Sequence, residues 1–171
     1  MNNSTMDLLK LIIDKQMNMP SGRVFAYNGT QDLPQDAGLF IVLSLMTKDA
    51  YSNSIRYKNT ETGLQEIQTI NFAENILISC MSQNTDARDR AHEVLLALNS
   101  TFARYIQEKF HIHLSTVSDI LDASFLEATS RMYRFDIRCS VMRSYDRVAD
   151  VDFYDKFPNT SKFEPEWYID E

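Results

Sequence analysis

Apolar residues in the first segment fall at Leu8, Leu9, Ile12 and Ile13, with Met17 following. That i, i+1, i+4, i+5 stripe predicts an amphipathic helix over 5–17, capped by Ser4 or Thr5 and ended by Pro20-Ser21-Gly22. So short a helix needs a surface to pack on. Val24-Phe25-Ala26-Tyr27 predicts a short edge strand among the turn formers Asn28-Gly29, Leu33-Pro34 and Ala37-Gly38. Leu39 to Met46 is a near-continuous apolar run and predicts a central strand covered on both faces. Residues 47–63 are polar, yet Tyr51, Ile55 and Tyr57 alternate within them. A compact domain seldom holds so long a structureless loop, so this stretch predicts a β-hairpin arm over about 47–69.

Further along, Ile70, Phe72, Ile76, Ile78 and Cys80 share one parity, broken by Glu74, while Ile67 has the other. The pattern predicts a strand from Glu66 to Cys80 with a bulge or bend near 68–70. It would span roughly 45–50 Å at 3.3 Å per residue, so its first half belongs to the arm. Asn84-Thr85-Asp86 then marks a helix start. Ala87, Ala91, Val94, Leu95, Leu98, Phe102, Tyr105 and Ile106 form one stripe, which predicts a single long helix to about Lys109. Thr116 to Leu121 reads as a short strand. Met132 to Met142 alternates cleanly, with Tyr133, Phe135, Ile137, Cys139 and Val141 inward. Val148 to Tyr154 reads as a weaker, acidic strand.

These elements make one α+β domain over 1–154. It has a mostly antiparallel sheet, an N-terminal helix and one long amphipathic helix packed on it, and a projecting β-hairpin arm. Residues 155–171 read as an acidic tail carrying Phe157, Phe163, Trp167 and Tyr168, aromatics of the kind that dock on a neighbour or on the domain itself.

Composition narrows the function. The 171 residues are 44% hydrophobic, enough for a sizeable core, and carry a net charge of −7, which disfavours non-specific nucleic-acid binding. The four glycines, Gly22, Gly29, Gly38 and Gly63, are too scattered for a phosphate-cradling loop. No apolar run approaches the roughly 20 residues of a membrane span, and Met1-Asn2-Asn3-Ser4-Thr5 lacks the positive start of a signal peptide, so synthesis in a cytoplasm is expected. Cys80 and Cys139 read as reduced core thiols, with a disulfide open to them if their strands are neighbours.

Catalytic signals are thin. His111-Ile112-His113 places two imidazoles on one side of an extended segment, but a metal site needs a third ligand; His92 lies away on the long helix. Asp119, Asp122 and Glu127, near Ser118, Ser124 and Thr129, are candidates for a paired-carboxylate site or, more simply, turn and cap residues. No metal or other cofactor is expected. Arg131, Arg134, Arg138, Arg143 and Arg147 cluster in an acidic protein. Arg134 and Arg138 flank Asp136 on the outward face of one strand, which reads as a salt-bridged sheet surface or as a subunit-interface or pore face.

The order of elements resembles the tail-terminator (neck-terminator, tail-completion) proteins of long-tailed bacteriophages. The resemblance rests on Leu39-Phe40-Ile41-Val42-Leu43, the polar arm, the run from Ile70 to Cys80 leading through Asn84-Thr85-Asp86-Ala87 into the helix, and Met132-Tyr133-Arg134-Phe135-Asp136-Ile137-Arg138. It covers about residues 5–154 and implies a non-enzymatic virion protein at the tail neck, made in the host cytoplasm. It implies a homo-oligomeric ring, a hexamer, which stops tube growth and joins tail to head. Partners implied are the tail tube protein, the head connector and genomic DNA passing through the lumen, with no membrane. Tyr51, Ile55, Arg56 and Tyr57 are then the expected subunit contacts, and Arg134 and Arg138 the pore or interface face. A related head-completion, tube or baseplate adaptor, or a small metal-dependent α+β enzyme, are the competing readings.

Overall fold

The computed structural model describes residues 4–27, 34, 36–60, 63–115, 119–127 and 130–151. The expected tail at 155–171 lies outside them.

Helix α1 (Thr5–Gln16) starts at a capping box. The Ser4 hydroxyl accepts from the Asp7 N–H (3.2 Å), and the Asp7 carboxylate accepts from the Ser4 N–H (3.3 Å). Leu8, Leu9, Ile12 and Ile13 are fully buried, as their spacing requires. Burying each contributes about 1.5–3 kcal/mol, which offsets the weak intrinsic stability of a three-turn helix.

Among the described residues, seven strands form one mixed, mostly antiparallel sheet. They are β1 (Val24–Ala26), β2 (Phe40–Thr60), β3 (Gly63–Ser82), β4 (Ile112–Leu114), β5 (Leu121–Asp122), β6 (Phe125–Glu127) and β7 (Ser130–Val151). The spatial order is β1-β2-β3-β7-β4, with β5 and β6 also paired to β7. β1 is the expected edge strand and runs parallel to β2. Helices α2 (Asp86–Leu98) and α3 (Thr101–Phe110) join α1 in a layer over one face. There Ile41, Leu43, Ile76, Ile78, Cys80, Ile137, Cys139 and Val141 meet the buried side chains of all three helices. On the other face a small cluster forms from Phe25, Phe40, Val42 and Met81.

Several expectations need correction. The long helix is two helices. Ser100 adopts an extended backbone and its hydroxyl accepts from the Ala103 N–H (3.1 Å), while the Asn99 side chain donates to the Leu95 carbonyl (2.8 Å). Two short polar side chains thus compete for the backbone groups that would carry the helix through. The stripe stays in phase, so Ala103 and Ile106 are buried like Val94 and Leu98. Tyr105 of the stripe is exposed.

The apolar run 39–46 is covered on both faces only as far as Leu43; Leu45 and Met46 are 50% and 61% exposed. The register of β3 with β7 is unbroken, so there is no bulge near 68–70. The irregularities lie on β2 instead, where Met46 and Tyr51 are each an extra residue against β3. Val148 does not begin a separate strand, because β7 continues from Ser130 to Val151. The strand expected over 116–121 falls partly on undescribed residues; β5 begins only at Leu121.

Candidate assembly surface

Beyond the helix layer the sheet narrows to three strands. β2 pairs with β3 out to Thr60↔Gly63, and β7 pairs with β3 out to Leu64↔Val151. A two-stranded arm is expected at 47–69; a third strand, β7, lies along the same length. Directly opposed residues share a face, so the register assigns every side chain of this ribbon to one of two faces.

On the face continuous with the core, the junction is held by Glu74. Its side chain is only 7% exposed, and Lys48 Nζ lies 2.8 Å from its Oε1. The Tyr145 hydroxyl donates to the same oxygen (3.2 Å) and accepts from Lys48 Nζ (3.3 Å). Lys48 also lies 4.7 Å over the Phe72 ring and 4.4 Å over the Tyr145 ring, and these two rings meet edge to face. Burial alone would push the Glu74 carboxyl up; the Lys48 hydrogen bond and charge, with the Tyr145 hydroxyl, outweigh it and hold it below its ordinary value. Lys48 is raised, chiefly by its hydrogen bond to Glu74. Glu74, which breaks the apolar parity of β3, is therefore the point where packed core gives way to exposed ribbon.

Farther out on this face, Ile55 opposes Gln68 and Tyr57 opposes Glu66. Ile55 and Tyr57 are each 60% exposed, and Ile70 beside them is 41% exposed. The Tyr57 phenol is raised by its hydrogen bond to Glu66. The other face is a polar ladder. Asn75 donates to Thr47 (2.8 Å), Ser144 to Asn71 (2.6 Å), Thr69 to Asp146 (2.6 Å) and Gln65 to Asp150 (3.0 Å).

The four expected contact residues do not form one patch. Ile55 and Tyr57 share the core-side face, whereas Arg56 lies on the polar face, 3.9 Å from Asp146. Tyr51, at its bulge, lines a separate cleft of about 300 Å³ with His111, His113, Met142, Arg143 and Ser144. Arg134 and Arg138 lie on the polar side of the sheet body. Arg134 Nε donates to Asp136 (2.9 Å), which also accepts from the Ser79 hydroxyl (2.6 Å). Arg138 lines a cleft of about 600 Å³ with Met46, Asn75, Leu77, Leu121 and Ser140. The Arg131 side chain lies outside the described residues.

The other candidate residues, where described, make local contacts. His111 has a φ of 51° and ends α3, so it does not alternate with His113 along one strand. Among the described residues no three His, Cys, Asp or Glu side chains gather as a metal site. Asp122 accepts from the Ser124 N–H (2.9 Å) and hydroxyl, a turn contact. Ser118, Thr129 and the Glu127 side chain lie outside the described residues. Cys80 and Cys139 are buried and free; burial raises their thiols to about 12 and about 11. Their strands are neighbours, but Cys139 opposes Ile76 and Cys80 opposes Phe135. Four residues of stagger separate them by roughly 13 Å, beyond disulfide reach.

What remains is a small α+β body extended by an exposed three-stranded ribbon. A family model described as phage neck terminator protein matches residues 3–166. The chain belongs to the phage neck terminator family. The match takes in both the body and the whole ribbon of this neck terminator. No curated protein matches the chain. A neck terminator is a structural part of a phage particle, and membership of the family implies contact with other neck and tail proteins. Among the described residues no helix is long and apolar enough to cross a membrane.

Proposed function

We propose that this neck terminator is a virion protein that assembles as a ring, a hexamer, on the end of the tail tube. The ring stops tube growth and offers the surface that joins tail to head connector. Genomic DNA passes through its lumen without sequence-specific contact, and the chain is made in the host cytoplasm before assembly. It works without enzymatic activity.

The observation that carries this reading is the ribbon itself. A family of neck proteins and an exposed apolar strip at Ile55, Tyr57 and Ile70 point together to a surface that a neighbour covers. Exposed ribbons of this kind gain stability when another chain packs on them. Ile55 and Tyr57 serve as apolar subunit contacts, Arg56 as a polar one on the reverse face, and Tyr51 as a contact at the cleft beside β4. The Arg134 and Arg138 side of the sheet body is the basic face turned to the lumen or to a neighbour. Residues 1–154 act as the assembling domain, with 155–171 as an acidic appendage.

Light scattering across a concentration series, followed by negative-stain imaging with and without isolated tail tubes, tests this. A mass rising to about six subunits, annular particles, and rings capping tube ends support it. Monomers at every concentration that leave tube ends bare overturn it.

A further inference from the structure

β1 covers the outer side of β2 only at Ile41, Val42 and Leu43. β4, β5 and β6 all pair with β7, and none reaches past Arg143. Among the described residues, β3 is therefore flanked by two strands with open outer edges, 52–59 on β2 and 144–151 on β7. Both segments are regular. The β2–β3 register is constant from Ser52 outward, and the β3–β7 register is constant throughout. The bulges that would spoil an edge lie farther in, at Met46 and Tyr51, and neither segment contains proline.

The two edges cannot satisfy each other within one molecule. Ser54 and Asp146 both oppose Thr69, from its two sides, so they stand two strand spacings apart, roughly 9.5 Å. Their charges are complementary. Segment 52–59 carries Arg56 and Lys58 and no acid, whereas 144–151 carries Asp146 and Asp150 against Arg147.

We propose that 52–59 of one copy adds as a strand to 144–151 of a second copy, so that the sheet runs on from subunit to subunit. This rests on the self-assembly reading above and names its contact. β2 and β7 both run toward the ribbon tip, so copies related by rotation bring them together in parallel. Each copy gives one edge and receives the other, a heterologous contact that can close into a ring. On the polar face, Arg56 and Lys58 come beside Asp146 and Asp150 of the second copy. The present Arg56–Asp146 contact within one chain is long and exposed, so it is readily given up. A symmetric β2–β2 contact would instead set Arg56 and Lys58 against their own copies.

Cysteine cross-linking of the full chain tests the pairing. Asp146→Cys is combined in turn with Ser54→Cys, Arg56→Cys and Lys58→Cys, all on one face, and oxidised mildly. Cys80 and Cys139 are buried, and within one copy the new thiols are too far apart to join. One of the three pairs should give a ladder of covalent oligomers on a non-reducing gel, while each single variant gives none. Ile55→Cys with Asp146→Cys, on opposite faces, should also give none. A second, independent measurement uses charge. Arg56→Glu/Lys58→Glu and Asp146→Lys/Asp150→Lys should each fail to assemble alone and assemble when mixed. Variants that assemble by light scattering yet never cross-link overturn this contact and leave self-assembly standing. Dimers from Arg56→Cys alone overturn it in favour of the symmetric contact. A native chain that stays monomeric with bare tube ends overturns both readings.

Discussion

Lys48 and Glu74 meet across the β2–β3 pair with Nζ 2.8 Å from Oε1, at the level where the helix layer ends and the ribbon begins. The carboxylate is buried and the ammonium is partly exposed. Tyr145, on the strand at the other side of β3, closes the arrangement through its hydroxyl and its ring. All three ribbon strands are thus tied at one point.

Removing the carboxylate should loosen that tie. Glu74→Gln leaves Lys48 without its counter-ion but still partly in water. A loss of about 1–3 kcal/mol is expected, below the cost of breaking a fully buried pair. Urea unfolding followed by circular dichroism reads it as a lower midpoint, and Lys48→Met, which leaves the buried Glu74 carboxylate without its counter-ion, should lose more than Glu74→Gln.

The same pair sets a pH window. Glu74 is held below its ordinary value of 4.5, so its contribution is present above that value and fades as pH falls through the folded one. Lys48 is raised above 10.5, so its contribution is present below that value and fades as pH rises beyond it. Stability measured against pH should show both flanks, and Glu74→Gln should flatten the acidic one. An unchanged acid flank in the variant would assign acid unfolding to other carboxylates.

Helix α2 depends on a residue outside it. Thr85 stands at the N-cap but makes no capping hydrogen bond, and the buried Ser82 hydroxyl accepts from the Ala87 N–H (2.9 Å) instead. Ser82→Ala leaves that buried donor unpaired and should cost about 1–3 kcal/mol, more than Thr85→Ala. Ser100→Ala removes a working cap from α3 and should cost about 1 kcal/mol. Thermal melts of the three variants give the ranking.

The cysteines should be silent in the folded protein. Both thiols are buried and raised well above neutral pH, so an aromatic disulfide reagent at pH 8 should titrate neither natively. Both should react once denaturant is added. A fast native reaction would mean that the sheet opens around β3 or β7.

Ile55→Ser with Tyr57→Ser should separate folding from assembly. Both side chains are largely exposed, so the melting transition should stay within about 0.5 kcal/mol of the parent. Self-association measured by light scattering should weaken strongly. Unaltered association would move the apolar subunit contact elsewhere.

Much of this was legible in the chain. The α1 stripe and the inward set Phe135, Ile137, Cys139 and Val141 follow from spacing, because periodicity is a local property that burial enforces residue by residue; the cap, open in the sequence between Ser4 and Thr5, is Ser4. The break between α2 and α3 was legible too, in Asn99-Ser100-Thr101, but the uninterrupted apolar stripe outweighed it. The split of Ile55 and Tyr57 from Arg56 follows from alternation alone. Tyr51 was harder, because a bulge removes a residue from the alternation without changing its composition.

The sequence by itself determined most of the helical and strand segments and which side of α1, β3 and the first half of β7 turns inward, and it carries no familiar catalytic motif. Tertiary structure alone decided the strand order and register. These place β7 against β3 along the whole ribbon, set Cys139 opposite Ile76 rather than Cys80, and bury Glu74 between Lys48 and Tyr145. The physical reason is that pairing between strands far apart in the chain is chosen by the sum of many backbone hydrogen bonds and side-chain contacts. That sum exists only once the strands lie side by side, and no local pattern in either strand encodes it.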